Sequence, residues 1–251
     1  MAYITPRAVK RKGAREDLPT MTEMPIVLIP GLNCTAAVYS AQVPALWQFG
    51  PVTVAHHRHG RSMAEIAARI LAAAPPRFAL GGFSMGGYIA LEIMRQAPER
   101  VLRLALIDTS ARPDAPEQTE RRRQLMDIAR AGGFARIADL QFPNGVHPDN
   151  VGDEALRTLH RDMALANGMA AYLDQQEAII ARPDSRPDLA AIACPTLIVV
   201  GDGDQITPPA LAREMADLID GARVVTVQKA GHMALIEQPQ AVTAALVGWL
   251  S

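Results

Sequence analysis

The sequence predicts an α/β protein in which a doubly wound, mainly parallel sheet is interrupted by a helical cap insertion. Three observations carry this. Short β-branched runs recur with room for one helix between them, the pattern of parallel strands joined by crossovers. Those runs are apolar throughout rather than alternating, as strands covered on both faces are. Between residues 111 and 187 the alternation stops, and helical stripes appear without strands.

Taken in order, Ile26-Val27-Leu28-Ile29 is a strand closed by Pro30-Gly31, and residues 35–47 are compatible with a helix. Val52-Thr53-Val54 reads as a strand, 62–74 as a helix capped by Ser62, and Phe78-Ala79-Leu80 as a strand. A helix over 85–97 stops at Pro98, and a buried strand follows over 102–107. Within the insertion, Leu125, Ile128 and Ala129 recur at helical spacing, as do Leu156, Leu159 and Met163; such stripes are packing surfaces. The rhythm resumes with a strand at 196–200, a helix at 209–219, a strand at 223–227 and a helix at 241–250. The expected organisation is therefore an N-terminal tail (1–24), a core (25–110 and 188–251) and a helical cap (111–187). The tail carries Arg7, Lys10, Arg11, Lys12 and Arg15 without an apolar stretch behind them. It reads as a solvated tail or a poorly formed first strand rather than a secretory signal, and the expected location is the cytoplasm.

Of the 251 residues, 20% are charged and the net charge is −1, so no strong field exists to attract nucleic acid or an anionic membrane. No apolar run reaches the ~18 residues of a membrane helix. Neither nucleic acid nor a membrane is an expected partner. Cys34 and Cys194 are too few for a disulfide framework and lack metal-ligand spacing, so both read as small buried hydrophobes.

The strongest chemical signal is Gly82-Phe83-Ser84-Met85-Gly86, directly after a predicted strand and before a predicted helix. A serine displayed at the tip of such a turn needs small residues two places to either side, where side chains would strike neighbouring backbone. The following helix aims its free N–H groups at an oxyanion formed on attack. A serine hydroxyl needs a base to take its proton. Of the six histidines, His232 alone lies just beyond the carboxyl end of a late strand. The base in turn needs a carboxylate to hold its tautomer. Asp204 is favoured because it lies deeper in the loop Gly201-Asp202-Gly203-Asp204-Gln205-Ile206-Thr207-Pro208, with Asp202 as a turn residue and Asp108 as the next choice. The second oxyanion donor is expected in the loop after the first strand, where Gly31 allows the Leu32 N–H to point inward beside that of Met85.

Together, LIPGLNCTAAVY, GGFSMGGYIALEIMRQAPERV, GDGDQITPP and AGHMALIEQP resemble the α/β-hydrolase superfamily across residues 25 to 250. The opening block with Pro30-Gly31 and Asn33-Cys34 is similar to the pimeloyl-acyl-carrier-protein methyl ester esterases, and small carboxylesterases and enol-lactone hydrolases share the layout. The resemblance implies an eight-stranded core, a helical cap and cofactor-free hydrolysis of a small-molecule ester. Three features depart from it. Pro30-Gly31 stands where many relatives have His-Gly, though the biotin-pathway esterases also carry Pro-Gly. No first hairpin is recognisable before Ile26, and the usual Asp-x-x-G-x-G-x-S loop is replaced by Ala55-His56-His57-Arg58-His59-Gly60-Arg61-Ser62. The three histidines lack a fourth ligand nearby, so they read as a polar loop near the site mouth and not as a metal site. Arg121-Arg122-Arg123 reads as a solvated helix face, with docking of an acidic carrier protein as the second reading. The expected activity is that of a serine carboxylesterase on small to medium acyl esters. The alternatives are an enol-lactone or carbon–carbon bond hydrolase on the same triad, or a binding protein on an inactive fold.

Overall fold

The computed structural model describes residues 23–251. The expectations for the tail fall outside these residues, except at Glu23 and Met24. Six strands form one fully parallel sheet: β1 (Ile26–Ile29), β2 (Val52–Val54), β3 (Phe78–Phe83), β4 (Val101–Ile107), β5 (Thr196–Gly201) and β6 (Arg223–Val227). Their spatial order is β2-β1-β3-β4-β5-β6. The eight strands implied by resemblance are therefore six among the described residues.

The period of two along each strand divides the core. Val27, Ile29, Leu80, Leu104, Leu106, Ile198 and Val200 face one layer of helices. That layer holds α2 (Met63–Ala73) and α3 (Met85–Gln96), with α8 (Pro209–Leu218) further along the sheet. Ile26, Leu28, Ala79, Ala105, Ile107, Leu197 and Val199 face the other side, where Val242, Leu246 and Trp249 of α10 (Pro239–Leu250) cover them. The strands β1, β3 and β5 are buried along their whole length, which is why they read as continuous apolar runs, whereas the edge strands β2 and β6 are partly exposed. The third strand is longer than its sequence suggests because Gly81 and Gly82 stay in register with Leu28 and Ile29 on one side and Ala105 and Leu106 on the other. Ser62 caps α2 as expected, its Oγ accepting the Glu65 N–H at 3.2 Å.

The helix expected over 35–47 is broken into a 3₁₀ turn (Ala36–Tyr39), the single-turn α1 (Val43–Leu46) and a second 3₁₀ turn (Trp47–Phe49). Pro44 has no N–H to donate and is tolerated only in a first helical turn, so the helix restarts there. Tertiary bonds then outweigh local helicity. Tyr39 Oη donates to the Ile29 carbonyl at 2.9 Å, and Gln42 Nε2 to the Leu235 carbonyl at 3.0 Å.

Between β4 and β5 the chain forms α4 (Pro116–Ile128), a π-helical turn, α5 (Phe134–Gly145), α6 (Glu154–Asn167) and α7 (Met169–Ile180). Where this helical segment leaves and rejoins the sheet, Asp114 is enclosed between two arginines. Its Oδ1 meets Arg182 Nη1 at 2.5 Å and its Oδ2 meets Arg122 Nε at 2.7 Å, with the Asp114 and Arg182 side chains almost fully buried. Arg182 also donates to the carbonyls of Arg112 and Ile179 and lies over the Tyr88 ring. No helix among the described residues is long and apolar enough to cross a membrane.

Removing one partner of a buried ionic cluster leaves the others uncompensated. Asp114→Ala should therefore lower unfolding free energy by about 3–5 kcal/mol in urea titration. A loss below about 1 kcal/mol, the size of an exposed pair, would contradict this account of the helical segment's anchorage.

Candidate active site

The chain leaves β1 for β2 on one side and returns as β3 on the other, so the carboxyl ends of β1 and β3 flank a topological switch point. Crevices at such points are where open α/β sheets bind ligands. Both loops that open there carry predicted site residues. After β3 the chain turns abruptly into α3 at Ser84, whose φ of 52° and ψ of −116° are unfavourable for a residue with a side chain. The turn is forced by close approach. A Cβ on Gly82 would lie 2.3 Å from the Gly86 carbonyl oxygen, and one on Gly86 would lie 2.1 Å from that of Ile29. Only glycine fits at either position. The turn is held from below, since the Ser84 N–H donates to the Ile107 carbonyl at 2.9 Å and Thr109 Oγ1 donates to the Ser84 carbonyl at 2.8 Å.

His232 follows β6 and reaches back over the sheet. Its Nε2 lies 2.8 Å from Ser84 Oγ, and its Nδ1 lies 2.9 Å from Asp204 Oδ2. The loop bearing it is held by Glu237 of the single-turn helix α9 (Ala234–Glu237), whose Oε1 accepts the N–H groups of Gly231 and Met233. Glu237 Oε2 accepts the His147 N–H and the Asn150 amide, which ties the same loop to the helical segment.

Asp204 is nearly inaccessible, and burial pushes its carboxyl upward. The His232 ring and hydrogen bonds from Thr207 outweigh that, holding the carboxyl below the usual range. Its Oδ1 accepts the N–H groups of Ile206 and Thr207, and its Oδ2 accepts the Thr207 hydroxyl at 2.7 Å. Asp108 does not reach the histidine. Fully buried, it accepts the Gly201 N–H through Oδ1 and the Ala234 N–H through Oδ2, joining the ends of β4 and β5 to α9. Burial and the neighbouring Asp204 charge raise its carboxyl well above the ordinary value. Asp202 accepts the Ala230 N–H at 3.2 Å, which ties the loop after β5 to the loop after β6 rather than closing a local turn.

Met85 opens α3, where helix geometry leaves its N–H free. Leu32 lies in the loop after β1, beside Gly31, at which a Cβ would be 3.2 Å from Ser84 Cβ. Leu32 packs under Met126, Ala129, Ile137 and Tyr172 of the helical segment. The histidine-rich loop divides: His56 and His59 are exposed with ring centroids 5.0 Å apart, while His57 turns inward. No three metal-ligating side chains converge among the described residues. Arg122 is turned inward onto Asp114 and Gln176, so the Arg121-Arg122-Arg123 run exposes two arginines rather than three. Sequence reasoning missed Thr207 and Glu237 altogether. Thr207 stands in the acid-bearing loop three residues after Asp204, the offset of a side chain that can fold back onto it. No local signal marks Glu237.

His57 is buried, which pulls its ring down from 6.5 to about 4 despite the Gly31 carbonyl beside it. Its neutral form is therefore favoured on folding; that stability is complete above pH 6.5 and is lost as the pH falls toward 4. His56 and Arg58, the charged neighbours in the loop, act in the same direction. The Tm of the parent should fall more steeply than that of His57→Gln over this window, measured by thermal melting. Parallel curves would contradict the buried, neutral placement of His57.

Residues 46–239 match the α/β-hydrolase fold family. The chain is 30% identical over 176 residues to a Mycobacterium tuberculosis protein named as a non-heme bromoperoxidase, covering 66% of this chain and 65%, less than two thirds, of that relative. It is 26% identical to a pimeloyl-[acyl-carrier protein] methyl ester esterase of Neisseria meningitidis, over 94% of this chain and 79% of the other. Among solved structures, a thermophilic esterase of Thermogutta terrifontis superposes with a TM-score of 0.82 at 30% identity, over 91% of this chain and 90% of that one. The enol-lactonase of Burkholderia xenovorans superposes at 0.81 with 27% identity, over 91% of each chain. By sequence and by fold, the chain belongs to the α/β-hydrolase family.

Proposed function

We propose that this protein is a serine carboxylesterase acting on small to medium acyl esters through an acyl-enzyme. The observation that carries the reading is the unbroken relay Ser84 Oγ, His232 Nε2, His232 Nδ1 and Asp204 Oδ2, with spacings of 2.8 and 2.9 Å. In this reading Ser84 attacks the ester carbonyl while His232 takes its proton. The negative charge moves onto the carbonyl oxygen, which accepts the Met85 and Leu32 N–H groups. His232 then protonates the leaving alcohol, and the carbonyl re-forms as an ester on Ser84. Water attacks that ester with His232 again as base, releasing the acid and restoring the serine. Asp204 keeps the ring proton on Nδ1 and stabilises the imidazolium, and its lowered pKa fits a carboxylate that stays ionised.

Hydrolysis of an enol-lactone, an internal ester, uses the same steps. The likeness to the Burkholderia xenovorans enzyme makes it the second reading.

The test is kcat/KM for p-nitrophenyl esters from acetate to palmitate, and for a lactone, on the parent and two variants. The rate should peak at short or medium chains, because the helical segment closes over Leu32. Ser84→Ala should abolish turnover. Asp204→Asn, which leaves His232 in the wrong tautomer, should lower kcat by at least ~10³-fold. Asp108→Asn and Asp202→Asn should retain most activity in whatever fraction folds. A maximum at palmitate would overturn the chain-length reading, and a lactone preferred over every open ester would favour the second. A folded, inactive Asp108→Asn beside an active Asp204→Asn would move the acid.

A further inference from the structure

We infer that His57 and Gln175 are positioning residues that fix the direction of the Leu32 N–H, the second donor of the oxyanion site. The inference deepens the esterase reading and rests on it. A trans peptide is planar, with its carbonyl and N–H pointing in opposite directions. Fixing the Gly31 carbonyl therefore fixes the Leu32 N–H, because the two belong to one peptide unit. That carbonyl accepts from His57 Nε2 at 2.9 Å and from the Cys34 N–H at 3.1 Å. Both of its lone pairs are engaged, and the plane has no freedom to rotate.

The next peptide is held from the other side. The Asn33 N–H donates to Gln175 Oε1 at 3.3 Å, and Asn33 itself has a left-handed φ of 59°. Gln175 belongs to α7, so this bond reaches from the helical segment down to the loop after β1. Its Nε2 donates to the His57 carbonyl at 3.5 Å and to Asn167 Oδ1 at 3.4 Å. Asn167 Nδ2 in turn donates to Asn33 Oδ1 at 3.2 Å and to Gln175 Oε1 at 3.1 Å. One buried side chain thus pins the peptide on each side of the Leu32 Cα, and the two pins bond to each other.

The chemistry suits this task. Asn33, His57, Asn167 and Gln175 are each no more than 3% exposed, so their bonds form without competing water. A carbonyl oxygen only accepts, which requires the His57 ring proton to be on Nε2. The depressed pKa keeps the ring neutral, so the network orients the loop without adding a charge beside the oxyanion.

The test compares parent, His57→Leu, His57→Gln and Gln175→Leu. Each is measured for kcat, KM, Tm and inhibition by a trifluoromethyl ketone, which becomes an oxyanion when Ser84 adds to it. Losing an oxyanion donor outright costs 10²–10³ in kcat, so a misdirected one should cost about 10–100-fold in His57→Leu and Gln175→Leu. KM should stay within about threefold, since the donor acts on the transition state. The ketone should lose affinity by the same factor as kcat/KM. His57→Gln places an amide N–H near the position of Nε2 and should restore most of the rate.

Folded His57→Leu or Gln175→Leu protein with parental kcat overturns the inference. So does a His57→Gln variant as slow as His57→Leu, which would mean that packing rather than donation matters. If His57→Leu does not fold, Gln175→Leu decides alone. A parent without Ser84-dependent turnover would instead overturn the esterase reading, and this inference with it.

Discussion

The constraint on which the site depends is the close approach of α3 to the end of β1. Gly86 packs so tightly on the Ile29 carbonyl that no side chain fits between them. For the helix to start there, the chain must turn within one residue after β3, and Ser84 takes up that turn in a left-handed conformation. Such a conformation costs on the order of 1–3 kcal/mol and persists only where surrounding structure over-determines it. Here the over-determination is visible in the bonds from Ser84 to Ile107 and from Thr109 to Ser84. The strain leaves the hydroxyl at the mouth of the switch point and the first N–H groups of α3 beside it. The remaining parts are brought to that fixed hydroxyl by the loops after β1, β5 and β6.

Two buried carboxylates near one histidine pose an electrostatic problem, and their environments resolve it in opposite ways. Asp204 accepts from two backbone N–H groups, a hydroxyl and the ring, and these favour the charged form over the cost of burial. For Asp108 burial weighs most and the Asp204 charge adds to it, and its two N–H donors do not offset them, so its neutral form is favoured. The pair divides into an ionised partner for the imidazole and a structural tie between strand ends. A pair of groups pushed apart in this way is the usual mark of distinct roles.

The core was legible from residue order because parallel strands buried on both faces leave continuous β-branched runs, and because the Ser84 turn demands glycine at 82 and 86. His232 and Asp204 were legible through their positions after late strands. The segment at 35–47 was not, since its broken helix is decided by Pro44 and by bonds from Tyr39 and Gln42 to partners distant in sequence. His57 was read as part of a polar loop because nothing local indicates that it alone of three neighbouring histidines turns inward. Asn167 lies in a helix whose stripe signals only packing, Gln175 in one that carries no such signal, and their meeting with Asn33 spans more than 130 residues of chain. Interactions of that kind come from tertiary closure, which periodicity does not encode.

Activation of Ser84 by His232 at the strained turn is the step on which the proposed esterase reaction depends. It is tested most directly by treating the folded protein with a fluorophosphonate and measuring intact mass. A single phosphonyl adduct is expected, mapping to the peptide containing Ser84 and absent from Ser84→Ala. A folded parent that takes up no label, or a label that persists in Ser84→Ala, would contradict it.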